Sequence, residues 1–415
     1  MTQAEAALAA EVDAPARPRR SALLLIVILG SLMATGPLAS DLYLPAFPQI
    51  AADLGAREAQ IQLTLTAIMI GMGVGQLVIG PLSDAWGRRR PLLVGAALFT
   101  ITSVACMLVP SAEWFIGVRF LQGLAGAAGL VVARAVVRDL YEGDAAARLF
   151  SRLMLVVGLA PILGPILGGQ LLRVGPWQLG FAVLAAVSAF SGLVIFFFLP
   201  ESLPAADRRP LTPRELTGTV GRLLRDARFM SPALTMGFSF AMMFTYIASF
   251  SLVSQNEFGA SPQQFSAMFA INTIGLVAGT QVNGALIGRM QTPRRLLAGL
   301  TGALLALVAL AVLGVSGAAS LTSLTCVFFA MMFSVGFVLP NATTLAINSQ
   351  QPAVAGTASA LLGSLQFALG GGLSALAGLT PSGDASLASM TVVMSTTGVI
   401  ATVIFLLLWR RSAQP

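Results

Sequence analysis

The chain has 415 residues, 56% of them hydrophobic and only 10% charged, with a mean hydropathy of +0.85. Soluble domains carry about 25% charged residues, so a water-covered surface is excluded and lipid is the expected solvent. All 24 basic residues are arginine, with no lysine or histidine; they fall in short clusters between apolar runs, which fits topology signals and no nucleic-acid partner.

A bilayer core of about 30 Å takes roughly 20 apolar residues per helix. Twelve runs qualify: 22–46, 60–82, 91–110, 114–136, 150–172, 177–199, 231–254, 264–288, 296–315, 321–345, 355–379 and 387–409. They lack strand-like alternation, so helices are expected rather than a closed barrel. One long gap parts six runs from six. The expected class is an all-α integral membrane protein with twelve transmembrane helices in two six-helix bundles. Its divisions are a tail at 1–21, a first bundle at 22–199, a linker at 200–230, a second bundle at 231–409 and a tail at 410–415. Twenty-one arginines fall on the side of the N-terminus, Arg57 and Arg173 on the other, and Arg119 within a run. That bias puts both termini and the linker in the cytoplasm. Loss of the first run as a leader peptide would leave eleven spans and reverse the bias.

Span 1 ends in "DLYLPAFP" (41–48), with Asp41 in its outer half and Pro45 and Pro48 ending or bending the helix just beyond. A charge at mid-membrane costs roughly 3 kcal/mol and usually faces a partner or a water-filled cavity. Span 4 carries a second such group, Arg119, expected at a depth similar to that of Asp41. A proton-coupling pair is one reading and a structural ion pair is the other. After span 2, "GPLSDAWGRRR" (80–90) forms a turn: Gly80 and Asp84 lie at the helix end, Gly87 permits a tight reversal, and Arg88, Arg89 and Arg90 reach the inner leaflet.

Span 5 holds "GLAPILGPILGG", with Gly158, Pro161, Gly164, Pro165, Gly168 and Gly169. Small residues four apart permit close helix approach and the prolines bend the helix, so a sliding seam is expected there. In the linker, Thr212, Pro213 and Glu215 read as a capped helix start. Leu216, Val220, Leu223 and Leu224 then share one face, which predicts an amphipathic helix on the inner leaflet. A shift of 204 residues lays 71–95 on 275–299 and superposes Gly71, Gly75, Gly80 and Gly95 on Gly275, Gly279, Gly284 and Gly299. The halves therefore read as similarly oriented repeats.

A soft aromatic pocket suits varied amphipathic molecules. Its candidates are Tyr43, Phe244, Tyr246 and Phe250, with Phe240 and Met243 beside them, and Gln122, Asn341 and Gln366 as the polar handles; for each of them core packing or a lipid-facing position is the other reading. With no histidine, and with Cys106 and Cys326 isolated in apolar runs, no metal site, cofactor or intramembrane enzyme chemistry is expected. Burial favours a neutral acid and a nearby cation favours the carboxylate, so one balanced side chain can load and release a proton. A membrane scaffold or receptor would leave Asp41 unexplained.

"GPLSDAWGRRR" is similar to the loop 2–3 signature of the major facilitator superfamily. "RFLQGLAGAAG" (119–129) resembles its span-4 motif, and "GLAPILGPILGG" the span-5 motif of its antiporters. "DLYLPAFPQIAADL" (41–54), "YIASF" (246–250) and "LPNATTLAINSQQPAVAGTASALLGSLQ" (339–366) resemble the bicyclomycin/chloramphenicol-resistance type of drug:proton antiporter. The resemblance implies two bundles rocking about a midplane pocket and proton-driven efflux of small amphipathic compounds such as antibiotics. It further implies Asp41 as protonation site with Arg119 as electrostatic neighbour, and Asp84 and Arg88 in a cytoplasmic gate linking the halves. The expected setting is the inner cell membrane, and the expected state a monomer energised by the proton gradient. Uptake by symport on the same fold is the alternative. Trp86 stands where the gate turn usually has a polar residue. Met33 and Ala34 stand where some relatives carry a second acid, which leaves the proton count open.

Overall fold

A computed structural model describes residues 22–141, 143–208, 213–351, 354–380 and 385–412. The tail at 1–21 and the helix cap at Thr212 lie outside them. The described residues form twelve helices long and apolar enough to cross a membrane and include no strand. We number them α1 (Ala22–Asp41), α2 (Glu58–Trp86), α3 (Arg89–Met107), α4 (Ala112–Leu140), α5 (Gly143–Val174), α6 (Gln178–Phe198), α7 (Ala227–Leu252), α8 (Pro262–Ala285), α9 (Thr292–Ser316), α10 (Leu321–Asn348), α11 (Ala355–Ser374) and α12 (Leu387–Ser412).

Two elements differ from expectation. The first span is not one helix to residue 46: α1 stops at Asp41, and a 3-10 turn (Leu44–Ala46) and a short helix (Phe47–Asp53) follow. Pro45 and Pro48 are the reason, since each removes a backbone donor where a continuing helix would need it. α4 runs to Leu140 rather than 136, so Arg138 also rides on the helix instead of a connecting loop.

In the first bundle α2 and α3 pack on α4, while α1 packs on α4, α5 and α6. In the second, α8 and α9 pack on α10, while α7 packs on α10, α11 and α12. The repeated glycines explain this correspondence. Gly71 and Gly75 lie against the backbone of α4 at Phe120 and Leu124; Gly275 and Gly279 lie against that of α10 at Phe329 and Phe333. With no Cβ on one partner, helix backbones approach to contact, the chief source of cohesion where lipid is as apolar as the side chains. Between bundles, α2 meets α11 and α5 meets α8. These contacts exchange under a six-helix shift, as a pseudo-two-fold demands. α3, α6, α9 and α12 form the rim, each with an exposed stripe such as Val94, Leu98 and Ile101 or Val308, Val312 and Val315.

The helix Pro213–Arg225 is seated on protein rather than on lipid alone. Leu223 is buried with Phe229, Ala233 and Leu362, and Val220 packs beside them, while Leu224 stays exposed. The linker is thus docked to the second bundle through α7 and α11.

Candidate functional site

A cavity of about 410 Å³ lies between the bundles. Eight helices wall it: α1, α2, α4 and α5 from one bundle and α7, α8, α10 and α11 from the other. Its wall is mostly soft, with Met69, Met72, Met243 and Met332 beside Phe240, Phe244 and Phe367. Flexible thioethers and aromatic faces fit ligands of varied shape.

Hydrogen bonds between the bundles close the cavity on one face. Ser251 donates to Leu44 O, Asn256 Nδ2 to Glu58 and Gln255 Nε2 to Pro45 O at 3.3 Å. Gln263 Nε2 donates to Gly169 O and Ser266 Oγ to Pro165 O. These bridges join the bundles on the face opposite the arginine clusters. Nearer the middle, Thr66 Oγ1 donates to Gly371 O and Ser364 Oγ to Gly73 O. Among the described residues no such bridge is found on the basic face, so the cavity opens there.

Asp41 ends α1 in the cavity wall. It is 4% exposed, and its carboxylate accepts a 2.8 Å hydrogen bond from Ser40 Oγ. No cation pairs with it among the described residues. Arg119 was expected as its neighbour and does reach a similar depth, donating to Ala39 O at 2.7 Å. It does so outside the cavity wall: fully buried, it also donates to Gln122 Oε1 and lies over Tyr43, 4.2 Å from the ring centroid. Neither the coupling pair nor the structural ion pair forms in this arrangement: Arg119 donates to α1's backbone and to Gln122, and its Nε has no partner among the described residues.

Of the expected pocket residues, Phe244 and Gln366 line the cavity, as do Phe240 and Met243. Tyr43, Gln122, Tyr246, Phe250 and Asn341 do not. Tyr43 bonds Thr64 beneath Arg119, and Gln122 is fixed between Arg119 and Ser103. Tyr246 accepts from Asn272 and stacks on Phe269. Phe250 packs on Tyr246 and Phe328 inside the second bundle, and Asn341 joins Asn283 and Phe337 O. A polar group avoids lipid equally well inside a bundle, so polarity alone does not select the cavity side.

The gate turn is built within the first bundle. Arg88 reaches Asp84 at 2.5 Å, Asp139 at 2.8 Å and Ser83 at 2.8 Å. Burial opposes the guanidinium's charge, but the hydrogen bonds to Asp139 and Asp84 outweigh it and raise the Arg88 pKa above its ordinary value. Glu201 accepts from the backbone N–H groups of Arg88 and Arg89, the free donors at the start of α3. Gly87 has φ +88° and lies against the Glu201 carboxylate, so a side chain is excluded twice over. Arg89 donates to Phe196 O at the end of α6, Arg90 is exposed, and Gly80 faces Val131 of α4. Among the described residues, the hydrogen bonds of this network stay within the first bundle, in an arrangement whose cavity opens on this same face.

In α5, Gly164 meets Asp41 and Gly168 meets Leu42 O, while Gly169 meets Ser266 of α8. Pro165 gives its carbonyl to Ser266, and Pro161 lines the cavity. Gly158 has open space around it. The glycine–proline run therefore sits where α5 touches both the acid-bearing end of α1 and the opposite bundle.

Residues 23–375 match the Major Facilitator Superfamily. The chain is 38% identical over 385 residues to an uncharacterized MFS-type transporter of Bacillus subtilis (strain 168), covering 92% of this chain and 94% of that one. The chain belongs to the major facilitator superfamily.

A bicyclomycin resistance protein homolog of Haemophilus influenzae is 29% identical over 85% of this chain and 88% of its own. The crystal structure of a D-xylose-proton symporter aligns with a TM-score of 0.70 at 16% identity, covering 94% of this chain and 97% of that one; at that identity it shows the shared fold. Within this major facilitator member, three groups escaped the sequence reading. Arg134 and Gln76 line the cavity, Asp139 completes the Arg88 network, and Glu201 caps α3. Arg134 had a signal: it is a charged residue within the expected run 114–136, four residues past Leu130 and so on the same helix face.

Proposed function

We propose that this superfamily member exports small amphipathic compounds in exchange for protons across the cytoplasmic membrane, by alternating access between the two bundles. The observation that carries the proposal is Asp41, an acid with no cationic partner among the described residues, held in the wall of a soft cavity. An acid so placed costs several kcal/mol unless it has work to do, and a proton and the cargo compete for it. The printed name of the Haemophilus relative supports efflux of a drug. The arginine bias supports a cytoplasmic basic face, which makes the present arrangement open inward. Cargo enters from the cytoplasm, the bundles rock, and loading of Asp41 from outside displaces it. The proton gradient is the energy source, and the residues call for no cofactor.

The test uses inverted membrane vesicles, acidified inside by respiration, and a fluorescent amphipathic cation as probe. The wild-type chain draws the probe inward as protons leave. Asp41→Asn reaches the membrane at normal level but loses accumulation. Uphill accumulation by Asp41→Asn at the wild-type rate would overturn the reading. Movement of the probe together with protons would instead establish the uptake symporter.

A further inference from the structure

Arg134 stands in the cavity wall on α4 and is exposed there. It has no hydrogen-bond or ion-pair partner among the described residues. The buried arginines elsewhere behave differently: Arg88 is paired with two acids, Arg119 binds a carbonyl and an amide, and Arg295 binds Asn283 and Met290 O. A guanidinium offers five donors and stays charged. A charged group on the wall of a water-filled cavity within a membrane helix is by default a candidate for contact with substrate.

Its position relative to Asp41 follows from the packing. Gly129 of α4 lies against the backbone of Leu32 of α1, so these two residues are level. Asp41 lies nine residues beyond Leu32 toward the closed face, and Arg134 five residues beyond Gly129 toward the basic face. At about 1.5 Å per residue, their backbones are separated by roughly 21 Å along the helices, a span that their side chains, reaching toward each other, shorten. The cavity thus has an acid at its closed end, a cation near its mouth, and methionines, phenylalanines, Gln76 and Gln366 in between.

From this arrangement we infer that Arg134 anchors an anionic group of the cargo, and that the preferred cargo is an elongated zwitterionic amphipath. Its ammonium end meets Asp41 and its carboxylate end meets Arg134. A planar fork matches a carboxylate through two parallel hydrogen bonds. The assignment rests on the export reading for which molecule is cargo, but the anchor itself is a property of binding. It also keeps the exchange consistent: a purely anionic cargo would bind best with Asp41 protonated and so travel with the proton, whereas the ammonium end competes with it.

The test is equilibrium binding to the purified full chain in detergent, without a gradient. The probes are ciprofloxacin, which is fluorescent and carries an ammonium at one end and a carboxylate at the other, and its methyl ester, which lacks the anion. The wild type binds the parent about tenfold or more tighter than the ester, the gain expected of a charge-assisted pair. Arg134→Gln abolishes the preference for the parent while the ester still binds, which reports an intact cavity; Arg134→Lys keeps part of the preference. Equal affinities in the wild type, failure of the parent to bind, or a preference that survives Arg134→Gln would overturn the anchor. A preference that stands while vesicles show no proton exchange would remove the export reading and leave the anchor. Exchange without preference would remove the anchor alone.

Discussion

Arg119 shows how strongly a single site is fixed by its surroundings. Its guanidinium ties α4 to the carbonyl of Ala39, holds Gln122, and lies over Tyr43. Cation–π contact alone is worth about 2 kcal/mol when desolvated, and unpairing the carbonyl and amide adds to the loss. Arg119→Leu is therefore expected to lower stability by about 3 kcal/mol or more, seen as a fall in the thermal midpoint in detergent. Arg119→Lys recovers little, because one ammonium cannot replace a planar fork stacked on a ring. The chain predicts Asp41 and Arg119 from their cost in lipid, and both are buried as that cost requires. Their separate environments were not legible, since a span position gives depth but not the direction in which a side chain points.

Among the helices, α5 separates two kinds of glycine that look identical in "GLAPILGPILGG". Gly168 meets the Leu42 carbonyl, whereas Gly158 has open space. Gly168→Ala is expected to force α5 away from α1 and cost about 1–3 kcal/mol. Gly158→Ala is expected to be neutral, or stabilising by up to about 1 kcal/mol through helix propensity. Thermal unfolding of the two variants side by side checks this, and equal destabilisation would refute it. The linker helix gives a parallel case. Its amphipathic spacing was plain in Val220 and Leu223, but the surface covering that face is the far end of the chain, at Leu361 and Leu362. Local spacing specifies an apolar stripe; it does not name its partner.

Between the bundles, the bridges on the face away from the arginines close one end of the cavity, and the end on the arginine face is open. A pair of cysteines at Glu58 and Asn256, whose side-chain ends meet across that end, is expected to be joined by a short, reducible bifunctional thiol reagent in a Cys326→Ser background. The linked protein holds its cavity open to the basic face and stops transport, and reductant restores it. Full transport by the cross-linked form would show that this end need not part.

Composition and span length were enough to yield twelve helices in two sets of six and the acid in the first span, because those features follow from the cost of backbone and charge in hydrocarbon. The repeated glycines were legible for the same reason, as close contacts need small residues wherever they occur. Which side of each helix meets the cavity was decided only by packing. Tyr246 and Asn341 turned into their bundle, while Arg134 and Gln76 turned into the space between bundles. In a chain where lipid-facing, core-facing and cavity-facing surfaces are all largely apolar, hydropathy separates membrane from water but not one buried side from another.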